Sequence, residues 1–219
     1  RGGIMRRLLA LVGDYYHCSD QLMLAIGSIQ LPDDSALEIV RYPDAPPSSL
    51  AGYDLLILAA MGKLRPRESD EQWMSPAMQR ELADHVHAGS GLLLVHAGTA
   101  SHPANGPFRE LTGGHFLHHP PEHPDVTVRP VAEHPITAGV APFTHPDEHY
   151  FLEMDEGVTP LLYATSTLGE QMAGWCRTWG AGRVAAVVPG HTREMLEDTM
   201  LRRLLANAVR WTLGDGASA

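Results

Sequence analysis

Tyr53-Asp54-Leu55-Leu56-Ile57-Leu58-Ala59-Ala60 and Gly91-Leu92-Leu93-Leu94-Val95-His96 are the two stretches that settle the architecture. Each is short, almost wholly apolar and free of the two-residue alternation of a half-exposed strand. That is the pattern of a strand covered on both faces in a parallel sheet. Between them, Ser75-Pro76 supplies a capping hydroxyl with proline at the first helical position, and the helix it opens runs to Ala88 before Gly89. Upstream, residues 6–12 (RRLLALV) read as a buried strand ended by Gly13-Asp14, and residues 37–42 (LEIVRY) as a second strand. Ser19 or Asp20 caps an intervening helix that runs to about Gln30 and is stopped by Pro32. Strand, helix, strand, strand, helix, strand is the order of an open, mostly parallel α/β sheet with crossover helices on both faces.

The second half reads differently. Short strands at 126–131, 161–164, 173–178 and 183–188 are separated by Gly and Pro, and Gly180-Ala181-Gly182 marks a hairpin turn between the last two. A closing helix over about 198–213 puts Leu201, Leu204, Leu205, Ala208 and Val209 on one face. No repeat or linker divides the 219 residues, 44% of them hydrophobic. Residues 5–214 are therefore read as one domain, 1–4 as upstream or cloning-derived sequence, and 215–219 as a frayed tail.

Sixteen Lys and Arg against 26 Asp and Glu give a formal charge of -10, which argues against nucleic acid or an anionic membrane as the partner. No apolar run approaches the ~18 residues of a membrane span. Cys18 and Cys176 are too few for a disulfide framework, so a reducing cytoplasm is expected. Neither a G-x-G-x-x-G turn follows the first strand nor a phosphate loop occurs anywhere, and no nucleotide cofactor is expected. A homo-oligomer is left open.

Histidine is the unusual residue: nine of the thirteen lie between His96 and His149. Ligands of open α/β sheets bind outside the carboxyl ends of the strands. Those ends carry Asp14 to His17, Met61-Gly62, His96-Ala97-Gly98 and Gly190-His191. His17, His96 and His191 are thus expected to converge on one pocket, as ligands of zinc or another divalent metal or as proton carriers. Asp147-Glu148 can orient a histidine, ligate the metal or accept sugar hydroxyls. Gly113-Gly114 suggests a close backbone approach with His115 beyond it in the pocket, while His118, His119 and His123 read as surface. Trp175 and Arg177, two apart in a strand, share a face that suits a sugar; core packing of Trp175 is the competing reading.

Together, Val95-His96-Ala97, Leu111-Thr112-Gly113-Gly114-His115-Phe116, His134-Pro135-Ile136-Thr137-Ala138-Gly139, Asp147-Glu148-His149-Tyr150, Ala173-Gly174-Trp175-Cys176-Arg177 and Pro189-Gly190-His191 resemble, in order and spacing, the ThuA-like trehalose-utilisation family. The resemblance extends over roughly residues 8–214 and includes Tyr16-His17-Cys18-Ser19 and Asn207-Ala208-Val209-Arg210-Trp211. It implies a flavodoxin-like or class I glutamine amidotransferase-like sheet. In that comparison His96 occupies the turn where the amidotransferases carry a cysteine, and His191 with Glu194 looks like their late histidine and glutamate. With no thiol at the turn, glutamine hydrolysis is not expected.

The family implies carbohydrate utilisation, with trehalose or a related disaccharide derivative as the small-molecule partner. A hydrolase or lyase is expected, with His96 and His191 as acid/base groups or metal ligands and Glu148 assisting. His17, Gly98, Gly114, His115, Asp147, Trp175 and Arg177 are the candidate substrate contacts. Its rivals are a non-catalytic sugar-binding protein and an amidotransferase-like hydrolase lacking the usual cysteine.

Overall fold

A computed structural model describes residues 5–41, 49–50 and 52–215 of the chain. The apolar stretches form β1 (Arg6–Val12), β3 (Leu55–Ala59) and β4 (Gly91–Val95), and the less apolar second strand forms β2 (Ser35–Arg41). With β11 (Gly182–Val187) they lie side by side in the order β2-β1-β3-β4-β11, every neighbouring pair parallel. Leu8 lies opposite Leu55, Leu56 opposite Leu92 and Leu93 opposite Ala185. β3 and β4 are buried along their whole length, as strands without alternation must be.

Beyond β11 the sheet continues antiparallel through β10 (Gly169–Trp179), β9 (Thr159–Ser166), β6 (Asp125–Pro130) and β7 (Phe143–Pro146). Among the described residues this makes a nine-stranded, mostly parallel sheet in a mixed α/β molecule. The expected hairpin joins β10 to β11, with Gly180 at its tip in the left-handed region (φ 59°). A separate antiparallel pair, β5 (Gly114–His118) and β8 (Phe151–Met154), was not expected.

Helices are few. α1 (Ser19–Gly27) packs on β1 and β2, α2 (Pro76–His87) on β11, and α5 (Thr199–Thr212) on β4 and β11. α3 (Pro107–Thr112) and α4 (Arg193–Glu197) are short and carry no sequence periodicity of their own. Ser75 caps α2 by accepting from the Met78 amide at 3.2 Å, and Pro76 holds the first helical position as expected. α1 differs from expectation at both ends. Its N-cap is Cys18, whose side chain makes no capping bond, and it stops at Gly27 rather than Gln30. There the Ser28 hydroxyl turns back onto the Ala25 carbonyl and Ile29 N–H reaches Ile26 O, a tighter turn that ends the helix.

In α5, Asp198 accepts from Met200 and Leu201 N–H and starts the helix, while Leu201, Leu204, Leu205, Ala208 and Val209 are fully buried. Asp215, expected in a frayed tail, pairs with Arg6 at 2.9 Å. Residues 1–4, Tyr42 and 216–219 lie outside the described residues. No described helix is long and apolar enough to cross a membrane.

Candidate active site at the carboxyl edge of the sheet

β1, β3 and β11 hand His17, Met61 and His191 to one cleft, and β4 brings His96 against them. After β1, Asp14 turns its buried carboxylate inward and gathers the following loop. Its Oδ1 accepts from the backbone N–H of Tyr16 and His17 and from His17 Nδ1 at 2.7 Å, and its Oδ2 accepts from Met61 N–H after β3. Burial disfavours the Asp14 charge, yet His17 and these backbone donors outweigh it and hold the carboxyl below its usual range. His17 is left with its Nδ1 proton on Asp14 and its Nε2 facing the cleft, buried and without a hydrogen-bond partner.

β4 ends at Val95, one residue earlier than expected, because His96 begins a tight turn over His96–Thr99 with φ 43°. A non-glycine residue in the left-handed region is strained, and Ser101 (φ 59°) repeats the feature five residues further on, in the wall of the cleft. The turn fits only because Gly98 carries no side chain: a Cβ there would lie 1.9 Å from the Leu58 carbonyl oxygen. Gly98 is therefore a packing residue and makes no part of the cleft lining. His96 is 1% exposed, with Nδ1 2.8 Å from the Val188 carbonyl at the end of β11. A carbonyl only accepts, so Nδ1 carries the proton and Nε2 is bare. The Tyr150 hydroxyl, whose pKa burial pushes well above its ordinary value, donates to that Nε2 at 3.1 Å.

Asp147 and Glu148 divide the work expected of the pair. Asp147 is fully buried and accepts from the backbone N–H of Gly190, His191 and Thr192 at 2.8, 2.8 and 3.0 Å. It shapes the loop that presents His191 and faces backbone rather than substrate. Glu148 turns into the cleft, where its Oε2 lies 3.2 Å from His96 Nε2 and 3.3 Å from His191 Nδ1. Its Oε1 lies 3.5 Å from His119 Nε2 and 3.8 Å from His123 Nε2. Burial works against the Glu148 charge, but His191 and His96 beside it prevail and hold the carboxyl well below the usual carboxylate range. Burial pushes His96 down, whereas Glu148 outweighs burial at His191 and raises it.

His17, His96, Glu148 and His191 each bring one ligand-type atom to a common point, all four within 4.8 Å of one another. The expected convergence of the three histidines is therefore present, and Glu148 joins it. The cleft in front of them has a volume of about 520 Å³ and is walled by Tyr16, Met61, Ser101, Phe116, His119 and Tyr150. His119 and His123 approach the second oxygen of Glu148, His119 partly buried and His123 exposed as expected, while His118 is exposed and stacks on Phe151. The loop carrying them follows β5, a strand with no readable alternation, so their approach had no local signal.

Other candidates lie elsewhere. Trp175 is 1% exposed with Nε1 donating to Thr112 O, so the core reading holds. Gly114 gives space to the Trp175 ring, and Arg177 bonds the Glu110 carbonyl. His115 lies across Phe116 in a neighbouring depression with Lys63, Gln72 and His102. Glu194 is exposed on α4, outside the cleft.

Fold and site together define a mixed α/β protein that gathers three histidines and a carboxylate at the carboxyl edge of parallel strands. Residues 39–212 match the ThuA family, described as trehalose utilisation, and the chain belongs to that family. Among solved structures it is similar to a ThuA-like protein of Parabacteroides merdae, with 15% identity over 98% of this chain and 92% of that one and a TM-score of 0.76. A ThuA-like protein of Bacteroides uniformis shares 20% identity over 95% and 91% of the two chains, with a TM-score of 0.70. A cytoplasmic protein of Salmonella typhimurium gives 16%, 94%, 99% and 0.70. These identities speak for the fold alone. No curated protein matches the chain.

Proposed function

We propose that the chain is a cytoplasmic enzyme of carbohydrate utilisation that hydrolyses or eliminates across a bond of a sugar derivative, trehalose-like disaccharide derivatives being the substrate class. The observation that supports this reading most is the cluster of His17, His96, Glu148 and His191, drawn from four separate loops to the floor of one cleft. Such convergence on a strained turn is costly and needs a purpose beyond folding. A volume of about 520 Å³ accommodates a sugar unit, and the Phe116 ring lies in its wall beside the polar Ser101 and His119. In this reading His96, His191 and Glu148 form the reacting centre, and Asp14 and Asp147 hold it in place. The sheet with its covering helices would then be the frame of a class I glutamine amidotransferase in which histidine has replaced the thiol.

Purified protein offered a panel of disaccharides and their oxidised and phosphorylated derivatives should convert at least one. Glu148→Gln should lower kcat for it by at least about 100-fold while leaving the melting temperature near that of wild type. Saturable binding of a sugar with no product over a day would instead mark a binding protein.

A further inference from the structure

We infer that His17 Nε2, His96 Nε2, His191 Nδ1 and Glu148 Oε2 are the ligands of one divalent first-row transition-metal ion. The inference deepens the enzymatic reading of this cleft and rests on it for its purpose, although the binding itself is measured with no sugar present.

Proton accounting carries the argument. Asp14 accepts a hydrogen bond from His17 Nδ1–H and the Val188 carbonyl accepts one from His96 Nδ1–H, so both rings turn a bare Nε2 inward. The Glu148 carboxylate adds a third acceptor. His17 Nε2, Glu148 Oε2 and His191 Nδ1 are all buried with no hydrogen-bond partner, and the Tyr150 hydroxyl faces the group at His96 Nε2. Acceptors gathered this closely repel one another unless a cation lies among them. The 3.2 and 3.3 Å approaches to Glu148 Oε2 lack hydrogen-bond alignment. These two are close to the spacing of about 3.3–3.4 Å between ligands of a tetrahedral ion with bonds of about 2.0–2.1 Å, and the remaining pairs, all within 4.8 Å, lie near enough to draw in on binding.

The surroundings are those of a metal site too. A carboxylate on the far nitrogen of one histidine and a backbone carbonyl on that of another fix tautomer and ring orientation, as outer partners of metal ligands do. Three imidazole nitrogens favour a zinc-like transition ion over magnesium or calcium, which take oxygen shells. The cleft opens over the cluster, so a substrate oxygen could add as a fifth ligand beside the four protein atoms. When bound, the ion would polarise a sugar oxygen or a water held there. His119 and His123 face the other oxygen of Glu148 at 3.5 and 3.8 Å.

The test uses the full-length protein stripped with chelator and titrated with Zn²⁺ alone, and separately with Co²⁺ for its visible absorption. Wild type should take up one equivalent tightly, with a Co²⁺ spectrum of four- or five-coordinate intensity. His96→Ala should abolish that spectrum, and Asp14→Asn should weaken affinity about 10–100-fold. Tyr150→Phe, which removes the competing proton, should keep or raise affinity, and the exposed His118→Ala should change nothing. Melting curves confirm that each variant is folded. Wild type binding less than a tenth of an equivalent, or His96→Ala and Glu148→Gln both binding as wild type does, would overturn the site. Tight stoichiometric metal without sugar turnover would leave the site standing and remove the enzymatic reading.

Discussion

Gly98 shows how tightly single residues constrain the cleft. The turn that carries His96 is pressed against β3, and a methyl group at Gly98 would meet the Leu58 carbonyl at 1.9 Å. A backbone atom cannot swing aside as a side-chain tip can, so either the turn or the strand must move. Gly98→Ala should therefore cost about 3 kcal/mol or more, visible as a fall of roughly 6–12 °C in melting temperature. Stability within 1 kcal/mol of wild type would show that the turn has slack. The same scale governs the missing thiol chemistry. Cys18 is exposed at the head of α1, and burial pushes the Cys176 thiol up to about 11. Neither sulfur is at the turn and Cys176 holds its proton at neutral pH, so ammonia release from glutamine should stay at background. Release that disappears in Cys18→Ser would refute this.

At the scale of elements, α5 is the amphipathic helix that fastens the sheet's centre. Leu205 is fully buried against β4 and β11, whereas Leu24 on α1 is 74% exposed. Leu205→Ala should cost about 2–5 kcal/mol and Leu24→Ala no more than about 0.5, measured by urea unfolding. Equal effects would mean that α5 is not packed as described. α5 was legible in the sequence because five apolar residues recur at helical spacing, and β1, β3 and β4 because burial on both faces demands unbroken apolar runs. β5, β7 and β8 were not. GHFLH, FTHP and FLEM are four or five residues long, partly exposed, and set by pairing with distant partners rather than by any local pattern. The site divided the same way. His17, His96 and His191 follow directly from strand ends, so topology alone places them. That Glu148 enters the cleft while Asp147 turns to the loop of His191 depends on the path of the chain after β7. His119 and His123 depend on the unseen β5.

The whole molecule carries its histidines as a pH sensor of stability. Burial lowers His102 to about 3, and burial also lowers His96, His115, His134 and His149; His191 alone among the shifted histidines is raised, by Glu148. His102 is the clearest case, stacked on Phe108 at 4.0 Å and 7% exposed. The unfolded chain takes up a proton there near pH 6.5, while the folded chain refuses it until about pH 3. The unfolded state therefore binds more protons throughout that window. Stability from His102 is complete above pH 6.5 and is lost as pH falls toward 3, at up to about 1.4 kcal/mol per pH unit. In the metal-free protein His191 acts in the opposite sense: its contribution is present below pH 6.5 and fades as pH rises through its raised value, so it offsets only part of the loss. Urea unfolding at pH 7, 6 and 5 should show wild type losing stability steadily on acidification. His102→Asn, which keeps an amide in place of the ring but cannot titrate, should lose less over the same range, by on the order of 2 kcal/mol at pH 5. Parallel losses in the two proteins would mean that His102 is hydrated in the folded state and takes its proton near pH 6.5 after all.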